Sequence, residues 1–304
     1  MVSQKFWRAA YRGQAARDNS WTCPKHGLAA MGNVENDNPK NDNLTKISQA
    51  LRLTVLDMIT AAKSGHIGGS MSCMDILVAL YYIVMDTEKI RTAAADRERF
   101  ILSKGHCAEA LYAVLADKGF IPKETLKTYA AFDTILAEHP TAKINGVEIA
   151  TGALGHGLSV GVGMAIAVPS SVYVLLGDGE LAEGSIWEAA MTAAKYRLTN
   201  LTAIIDRNRL QISGSTEEVM PLENLAEKFR SFGWDCRPCN GHSPKEIAAA
   251  ITENRPPNKP MAIIANTVKG YGSAVMANLA DWHHNIPNNA EYLQIKADLE
   301  KLAD

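Results

Sequence analysis

The amino-acid sequence predicts an α/β fold, in which a mostly parallel sheet carries helices on both faces. Two observations predict this fold. Short apolar runs with the length of strands alternate with segments of helical periodicity over most of the chain. The run at 171–176, the helical segment at 185–196 and the run at 201–205 have the spacing of a βαβ unit. Because such a unit joins parallel strands by a right-handed crossover, the sheet should be mostly parallel.

The elements before this unit follow the same alternation. Apolar residues recur at helical spacing over 44–63, and Gly65 supplies a stop after that first helix. A second helix is predicted from about Cys73 to Met85. The short apolar run at 99–103 then predicts a strand, and the helix after it runs through Leu115.

The elements after the central unit complete one domain. A helix at 243–253 and a strand at 261–265 continue the alternation, so we predict a single α/β domain over 44–304. Residues 1–43 show no periodic pattern, and 33–43 are rich in Asn, Asp and Pro. That composition predicts an extended or disordered N-terminal segment.

Composition and charge exclude several classes of protein. The formal net charge is -2 at pH 7 and the basic residues are scattered, so we expect neither nucleic-acid binding nor attraction to an anionic membrane. No apolar run approaches the roughly 20 residues that span a bilayer. The N-terminus lacks the continuous apolar stretch of a secretory signal, so we expect a cytoplasmic protein.

Five cysteines in a chain of this length do not predict a disulfide framework. Cys236 and Cys239 have the spacing of a redox pair or of half a zinc site. However, they lie in a predicted strand, whereas a redox pair should open a helix. A zinc site would need a second pair, for which Cys23 and His26 are weak candidates. We therefore expect two cysteines beside a strand.

Two loops follow the carboxyl ends of the central strands, where open parallel sheets bind their ligands. The first is Gly177-Asp178-Gly179-Glu180, and the second, at 206–210, contains Asn208. Flanking glycines let the backbone turn tightly beside a ligand. The Asp178 carboxylate and the Asn208 amide oxygen are hard donors on adjacent strand ends. They suit Mg²⁺ or Ca²⁺, which often share their coordination with phosphate oxygens. The loops predict a metal–diphosphate site.

Two other interpretations of these loops stay open. Gly-Asp-Gly also occurs in ordinary turns, although a turn alone leaves Asn208 unexplained. The stretch 152–161 resembles a dinucleotide-binding loop, with Asp178 at about the distance of a ribose-binding acid. Val160 stands where the third glycine of that loop would be. A nicotinamide or flavin site is therefore the weaker alternative.

Four histidines lie in predicted loops rather than on helix faces: His66, His106, His139 and His156. A single histidine in a loop is usually a solvated side chain. Several that converge on one phosphate-binding edge would be able to donate to phosphate or sugar oxygens and to move protons near pH 7.

The order of these motifs resembles the N-terminal, diphosphate-binding domain of the transketolase family, over about residues 44–290. The resemblance is carried by Ser64-Gly-His66, Ser103-Lys-Gly-His106, His139-Pro140, Thr151-Gly-Ala-Leu-Gly155, Gly177-Asp-Gly-Glu-Leu-Ala-Glu183-Gly184, Asp206-Arg-Asn208-Arg-Leu210-Gln-Ile-Ser-Gly214, and Thr267-Val-Lys-Gly270 with Trp282-His283. It implies an enzyme that binds thiamine diphosphate through Mg²⁺, or through Ca²⁺ or Mn²⁺. The implied reaction transfers a two-carbon ketol unit from a ketose phosphate to an aldose.

The resemblance also assigns residues to roles. It implies that the metal is held by Asp178, Asn208 and the backbone carbonyl of Leu210. The residues that it places on the cofactor are His66, His106, Gly152, Leu154, Gly177, Asp178, Gly179, Glu183, Asn208 and His283. Of these, Gly152 and Leu154 would support the aminopyrimidine ring, and Glu183 would organise the interface between cofactor halves. His66, His139 and His283 would act on the sugar, with His66 and His283 near the hydroxyl that loses its proton.

Three positions depart from the family pattern near the sugar. Ile67 stands where proline is usual, His156 where glutamine is usual, and His284 where glycine is usual. These departures leave the two metal loops intact. They change the side chains that face the donor sugar, so the donor cannot be read from the family.

The resemblance covers only the first part of a full-length transketolase, whose pyrimidine-binding and C-terminal domains are absent from this sequence. We therefore expect the small subunit of a split transketolase, paired with a second polypeptide that carries the pyrimidine-binding domain, as a dimer or heterotetramer. Three alternatives stay open: a different thiamine enzyme related to deoxyxylulose-phosphate synthase, a nicotinamide-dependent oxidoreductase, and a non-catalytic binding protein.

Overall fold

The structure is a computed structural model that describes residues 39–302, with side chains from 43 onward. We predicted an extended N-terminal segment over 1–43. Residues 1–38 of that segment lie outside the described residues. Helix α1 already begins at Pro39, a few residues before the predicted start of regular structure.

Five parallel strands form the central sheet in the order β1-β2-β3-β7-β6. They are β1 (Arg99–Leu102), β2 (Val172–Gly177), β3 (Leu201–Arg207), β6 (Asp235–Asn240) and β7 (Met261–Asn266), and a small antiparallel pair is formed by β4 (Leu210–Gln211) and β5 (Gly214–Ser215). Gly177 of β2 is in register with Asp206 of β3, so the loops after these two strands leave the sheet at the same level. The predicted βαβ unit is confirmed.

Ten α-helices surround the sheet within the described residues. They are α1 (Pro39–Ala62), α2 (Ile67–Ala79), α3 (Thr87–Arg91), α4 (Ala108–Asp117), α5 (Gly157–Ala167), α6 (Gly184–Lys195), α7 (Thr216–Val219), α8 (Leu225–Ser231), α9 (Pro244–Thr252) and α10 (Asn289–Glu300). Several begin at polar caps, which satisfy amide groups that have no partner in the helix. Asn288 and Glu291 form a reciprocal capping box at the start of α10.

Two apolar cores, one on each face of the sheet, hold these layers together. Successive side chains of a strand point to opposite faces. Leu175 of β2 therefore packs with α1, α2, α4, α9 and α10, whereas Val174 packs with α5, α6 and α8. Helices on both faces are confirmed.

The same alternation explains the two cysteines of β6. Cys236 belongs to the core that contains α8, whereas Cys239 packs against the core on the opposite face. Both thiols are free, and burial raises the pKa of each to about 12. The expectation of two cysteines on a strand is confirmed.

Helix α2 begins at Ile67, earlier than predicted from the sequence. Gly68 and Gly69 lie in the first turn of this helix, where the lack of a side chain allows close packing. A Cβ on Gly68 would lie 2.5 Å from the carbonyl oxygen of Trp282, and one on Gly69 would lie 2.7 Å from the Cys107 sulfur. By length and composition, helical residues Ile67–Val84 could span a membrane, but 83% of this window is buried inside the protein. Its apolar surface is part of the core.

Candidate active site

A cavity of about 370 Å³ lies at the carboxyl edge of the sheet, between the loops after β2 and β3 and the start of α2. Ten residues predicted from the sequence line it together: His66, His106, Gly152, Leu154, Gly177, Asp178, Gly179, Asn208, Leu210 and His283. These residues come from six separate segments of the chain. The structure therefore brings the metal loops together with three of the predicted histidines, His66, His106 and His283. His156, in contrast, is exposed at the N-cap of α5 and does not line the cavity.

Two other predicted residues lie beside the cavity rather than in its wall. The His139 ring is 6.0 Å from the His66 ring and packs on the backbone of Gly152, where a Cβ would lie 2.6 Å from it. Glu183 is exposed at the N-cap of α6, and its Cβ would lie 2.7 Å from one added at Gly155. Gly152 and Gly155 both have positive φ, so the loop between them needs glycine at these positions.

The Asp178 carboxylate is buried and held on both oxygens. Oδ1 accepts from the Gly179 amide at 2.8 Å, and Oδ2 accepts from the Arg209 amide at 2.5 Å and from the Arg207 guanidinium at 3.2 Å. Burial, together with the nearby Asp206 carboxylate, raises the pKa of Asp178 above its ordinary value. A cation beside Asp178 would offset this cost of charge burial.

Asn208 and Leu210 supply the neutral donors. The Asn208 amide oxygen accepts from the Leu210 amide at 3.0 Å, which fixes the side chain across the loop. The Leu210 carbonyl lies 3.4 Å from the Lys269 ammonium group. One carboxylate, one amide oxygen and one carbonyl on the same cavity form a hard oxygen set, with room left for phosphate oxygens and water. The donor set fits Mg²⁺, Ca²⁺ or Mn²⁺.

Histidine rings cluster around His66. The His66 ring lies 5.4 Å from His106, 5.5 Å from His283 and 4.6 Å from His284. Burial lowers the pKa of His66 to about 4 and that of His283 to about 3, so both rings are neutral at pH 7. The buried Nδ1 of His66 has no hydrogen-bond partner within the described part of the chain. A ligand with hydroxyl groups would satisfy this nitrogen.

Lys269 is a site residue that the sequence analysis quoted in a motif but gave no role. Its ammonium group lies 2.8 Å from His283 Nδ1 inside the cavity. Burial, together with the nearby Lys104, lowers the pKa of Lys269 to about 8. The side chain is only 2% exposed, so water stabilises its positive charge poorly. An anionic ligand beside the ammonium group would stabilise that charge.

Three further acidic residues, Glu180, Asp206 and Glu109, hold the segments of the site in place through hydrogen bonds and ion pairs. Their sequence pattern predicted no role for them. Glu180 accepts from the Gly177 and Gly155 amides, at 3.1 and 2.9 Å, and so ties the loop before α5 to the end of β2. Asp206 pairs with Lys104 and accepts from the Ser72 hydroxyl group.

Glu109, the third of these acidic residues, holds the backbone of His66. It accepts from the His66 amide at 2.8 Å and from Tyr129 and Ser70. Burial raises the pKa of Glu109 to about 7. In the sequence Glu109 lies between alanines in a helix, which is typical of a solvent-facing residue, so no signal distinguished it.

The stretch at 152–161 does not have the context of a dinucleotide loop. Such a loop follows a strand directly and opens a helix. Here α5 begins at Gly157, but irregular turns precede it, with no strand at 118–156. The glycines instead let this loop approach Ser103, His139 and Glu183 closely.

Comparisons with known proteins agree with this geometry. The family described as "Transketolase, thiamine diphosphate binding domain" matches residues 44–300. One of the subunits of the apulose-4-phosphate transketolase of Phocaeicola vulgatus is 46% identical, over 84% of this chain and 94% of that relative. The 6-deoxy-6-sulfo-D-fructose transketolase subunit of a Clostridium species is 40% identical, over 84% and 95%. The solved transketolase from Leishmania mexicana superposes with a TM-score of 0.78 at 28% identity, over 84% of this chain and 41% of that one.

Proposed function

Since this chain belongs to the transketolase family, we propose that it is the thiamine-diphosphate-binding subunit of a split transketolase. With a partner subunit it transfers a two-carbon ketol unit from a ketose phosphate to an aldose. The observation that carries the proposal is the cavity lined both by the oxygen donors of Asp178, Asn208 and Leu210 and by His66 and His283, which are neutral at pH 7. The relatives that are named as transketolase subunits, matched over nearly their whole length, support the split arrangement.

The oxygen donors would hold the metal and the diphosphate. Asp178, Asn208 and the Leu210 carbonyl would bind Mg²⁺, and Ca²⁺ or Mn²⁺ would fit the same donors. The diphosphate would lie against the Gly179 amide, His106 and the Lys269 ammonium group. When bound, the cofactor supplies the electron sink that cleavage of a ketose carbon–carbon bond requires.

The histidines would act on the sugar. His66 is neutral at pH 7 and carries an unpartnered nitrogen, so it can accept a proton from a sugar hydroxyl. The Lys269 ammonium group contacts Nδ1 of His283. Nε2 of that ring is therefore left available to the substrate. Glu109 fixes the His66 backbone, so the ring is positioned before the sugar arrives.

Calorimetric titration with thiamine diphosphate, with and without Mg²⁺, tests the proposal. The wild-type chain should bind only with the metal present. Asp178→Ala should bind at least about 100-fold more weakly, since loss even of an outer-shell partner costs about 10–100-fold in metal affinity. Asp96→Ala is the matched control, because that carboxylate is exposed and pairs only with Lys89 at the surface. Equal affinity for wild type and Asp178→Ala would contradict the proposal.

A further inference from the structure

Three side chains meet beside the His66 ring, and two of them are not among the residues that line the cavity with the oxygen donors of the metal loops. They are His66, which precedes α2, Glu138 in the segment before the Gly152 loop, and His284, which follows His283. One ligand atom from each lies within 4.8 Å of the other two. The His66 and His284 rings are 4.6 Å apart, and His284 Nε2 lies 4.0 Å from a Glu138 carboxylate oxygen.

The arrangement leaves these donors free for a ligand. One Glu138 oxygen accepts from the Ser64 hydroxyl group, which orients the carboxylate, and the other faces His284. The Nδ1 atom of His66 is buried and has no partner among the described residues. His284 is half exposed and can rotate.

We propose that His66, Glu138 and His284 bind a Zn²⁺ ion at a site separate from the oxygen donors of Asp178 and Asn208. Two imidazole nitrogens and one carboxylate are a common ligand set for zinc, with a fourth position open to water or substrate. Mg²⁺ prefers all-oxygen sites, so the two metals are sorted by donor type.

The distances require only a small adjustment. A tetrahedral ion with bonds of about 2.1 Å holds its ligand atoms about 3.4 Å apart. His284 and Glu138 are both partly exposed, so rotation of the His284 ring, with Glu138 held by Ser64, would bring the ligand atoms closer together. His284 stands where the family usually has glycine, so the site depends on a side chain that most relatives would lack.

Occupation of this site would inhibit the enzyme. A Zn²⁺ ion on His66 would occupy the ring that the proposed function assigns to the sugar, so it should compete with the ketose phosphate. This consequence rests on the proposed function, whereas zinc binding does not.

The test is a Zn²⁺ titration of the full chain in competition with a chromophoric chelator, with excess Mg²⁺ present to fill the oxygen site. Wild type should bind one Zn²⁺ that His284→Ala and Glu138→Gln bind at least about tenfold more weakly. His156→Ala is the matched control, since that histidine is exposed at the start of α5 and outside the cluster, and should bind like wild type. Circular dichroism checks that each variant is folded.

Several outcomes would overturn the zinc site. One is an unchanged affinity of His284→Ala for Zn²⁺, and another is an equal loss of affinity in His156→Ala. A third is a sulfur-to-metal charge-transfer band when Co²⁺ replaces Zn²⁺, because that band would place the ion on cysteines. In the reconstituted enzyme, ketol transfer should be at least about tenfold less sensitive to Zn²⁺ in His284→Ala. A chain that binds Zn²⁺ here but no thiamine diphosphate would refute the proposed function and support the zinc site.

Discussion

At the scale of single residues, the buried charges of the site make its behaviour depend on pH. Lys269 has a pKa lowered to about 8, so it is protonated at pH 7 and loses its charge as the pH rises through that value. We expect the affinity for thiamine diphosphate to fall above pH 8, by up to about tenfold per pH unit for one lost charge.

Calorimetry from pH 7 to pH 9.5 would measure this effect of Lys269. Lys269→Gln is the informative variant, because it should bind more weakly at pH 7 and show little further change with pH. A wild-type profile parallel to that of Lys269→Gln would show that another group titrates.

Glu109 should make the free energy of unfolding depend on pH in the opposite sense to a carboxylate such as Asp75, whose pKa is lowered in the native state. Its native pKa of about 7 lies above its ordinary value of 4.5, so the native state keeps a proton that the unfolded chain releases. This contribution therefore destabilises the fold progressively as the pH rises from about 4.5 to 7. The difference is worth about 3 kcal/mol.

Urea unfolding of wild type and Glu109→Gln over this pH range would measure the Glu109 contribution. The free energy of unfolding of wild type should fall relative to that of the glutamine variant by about 3 kcal/mol. Parallel curves for the two proteins would show that Glu109 is ionised in the native state.

The sequence predicted the oxygen donors but not the groups that support them. Asp178 and Asn208 follow strands directly, and the meeting of parallel strand ends is a general consequence of the fold. Glu180 and Asp206 stand in the two predicted loops and Glu109 in a predicted helix, but the contacts that give them their roles, with Gly155, Lys104 and His66, come from distant segments. Long-range burial is a property of the assembled layers, so only the structure could reveal it.

At the scale of elements, α5 shows how closely a helix lies on the sheet. A Cβ on Gly161 would lie 2.5 Å from the Val174 side chain of β2, whereas one on Gly163 would meet nothing within 4 Å. Gly161→Ala should destabilise the fold by about 1–3 kcal/mol through overpacking. Gly163→Ala, in the same helix, should stabilise it by up to about 1 kcal/mol through helix propensity.

Thermal or urea unfolding of the two alanine variants would test the packing of α5. The prediction is the opposite sign of the two changes in the free energy of unfolding. Equal effects would mean that α5 does not press on β2.

Element boundaries were predicted well where periodicity decided them and poorly where glycines did. The strands of the βαβ unit lie within one or two residues of their predicted ends. The predicted start of α2, at about Cys73, lies after the observed start at Ile67, and the missed first turn contains Gly68 and Gly69. Five helices were not predicted: α3, α7 and α8 are short, α5 contains three glycines, and α10 carries few buried residues.

At the scale of the whole molecule, the fold class was predictable because strand-length apolar runs alternate with helical segments along the chain. The proposed split of the enzyme predicts that this chain alone catalyses negligible ketol transfer. Mixing it with a polypeptide that carries the pyrimidine-binding domain should restore activity, as measured by a coupled assay of ketose cleavage. Full activity of the chain alone would contradict the split arrangement.

The backbone at Gly68 lies so close to the Trp282 carbonyl oxygen that a Cβ at position 68 would lie 2.5 Å from it. His66 lies two residues before Gly68, and His283 directly follows Trp282. The absence of a side chain at position 68 therefore helps to set the distance between the two histidine rings. A displacement of about 1 Å near reacting groups can cost about 100-fold in rate. In a genetic screen, a codon change that introduces alanine at position 68 would score as an active-site defect, although the affected residue never touches a sugar.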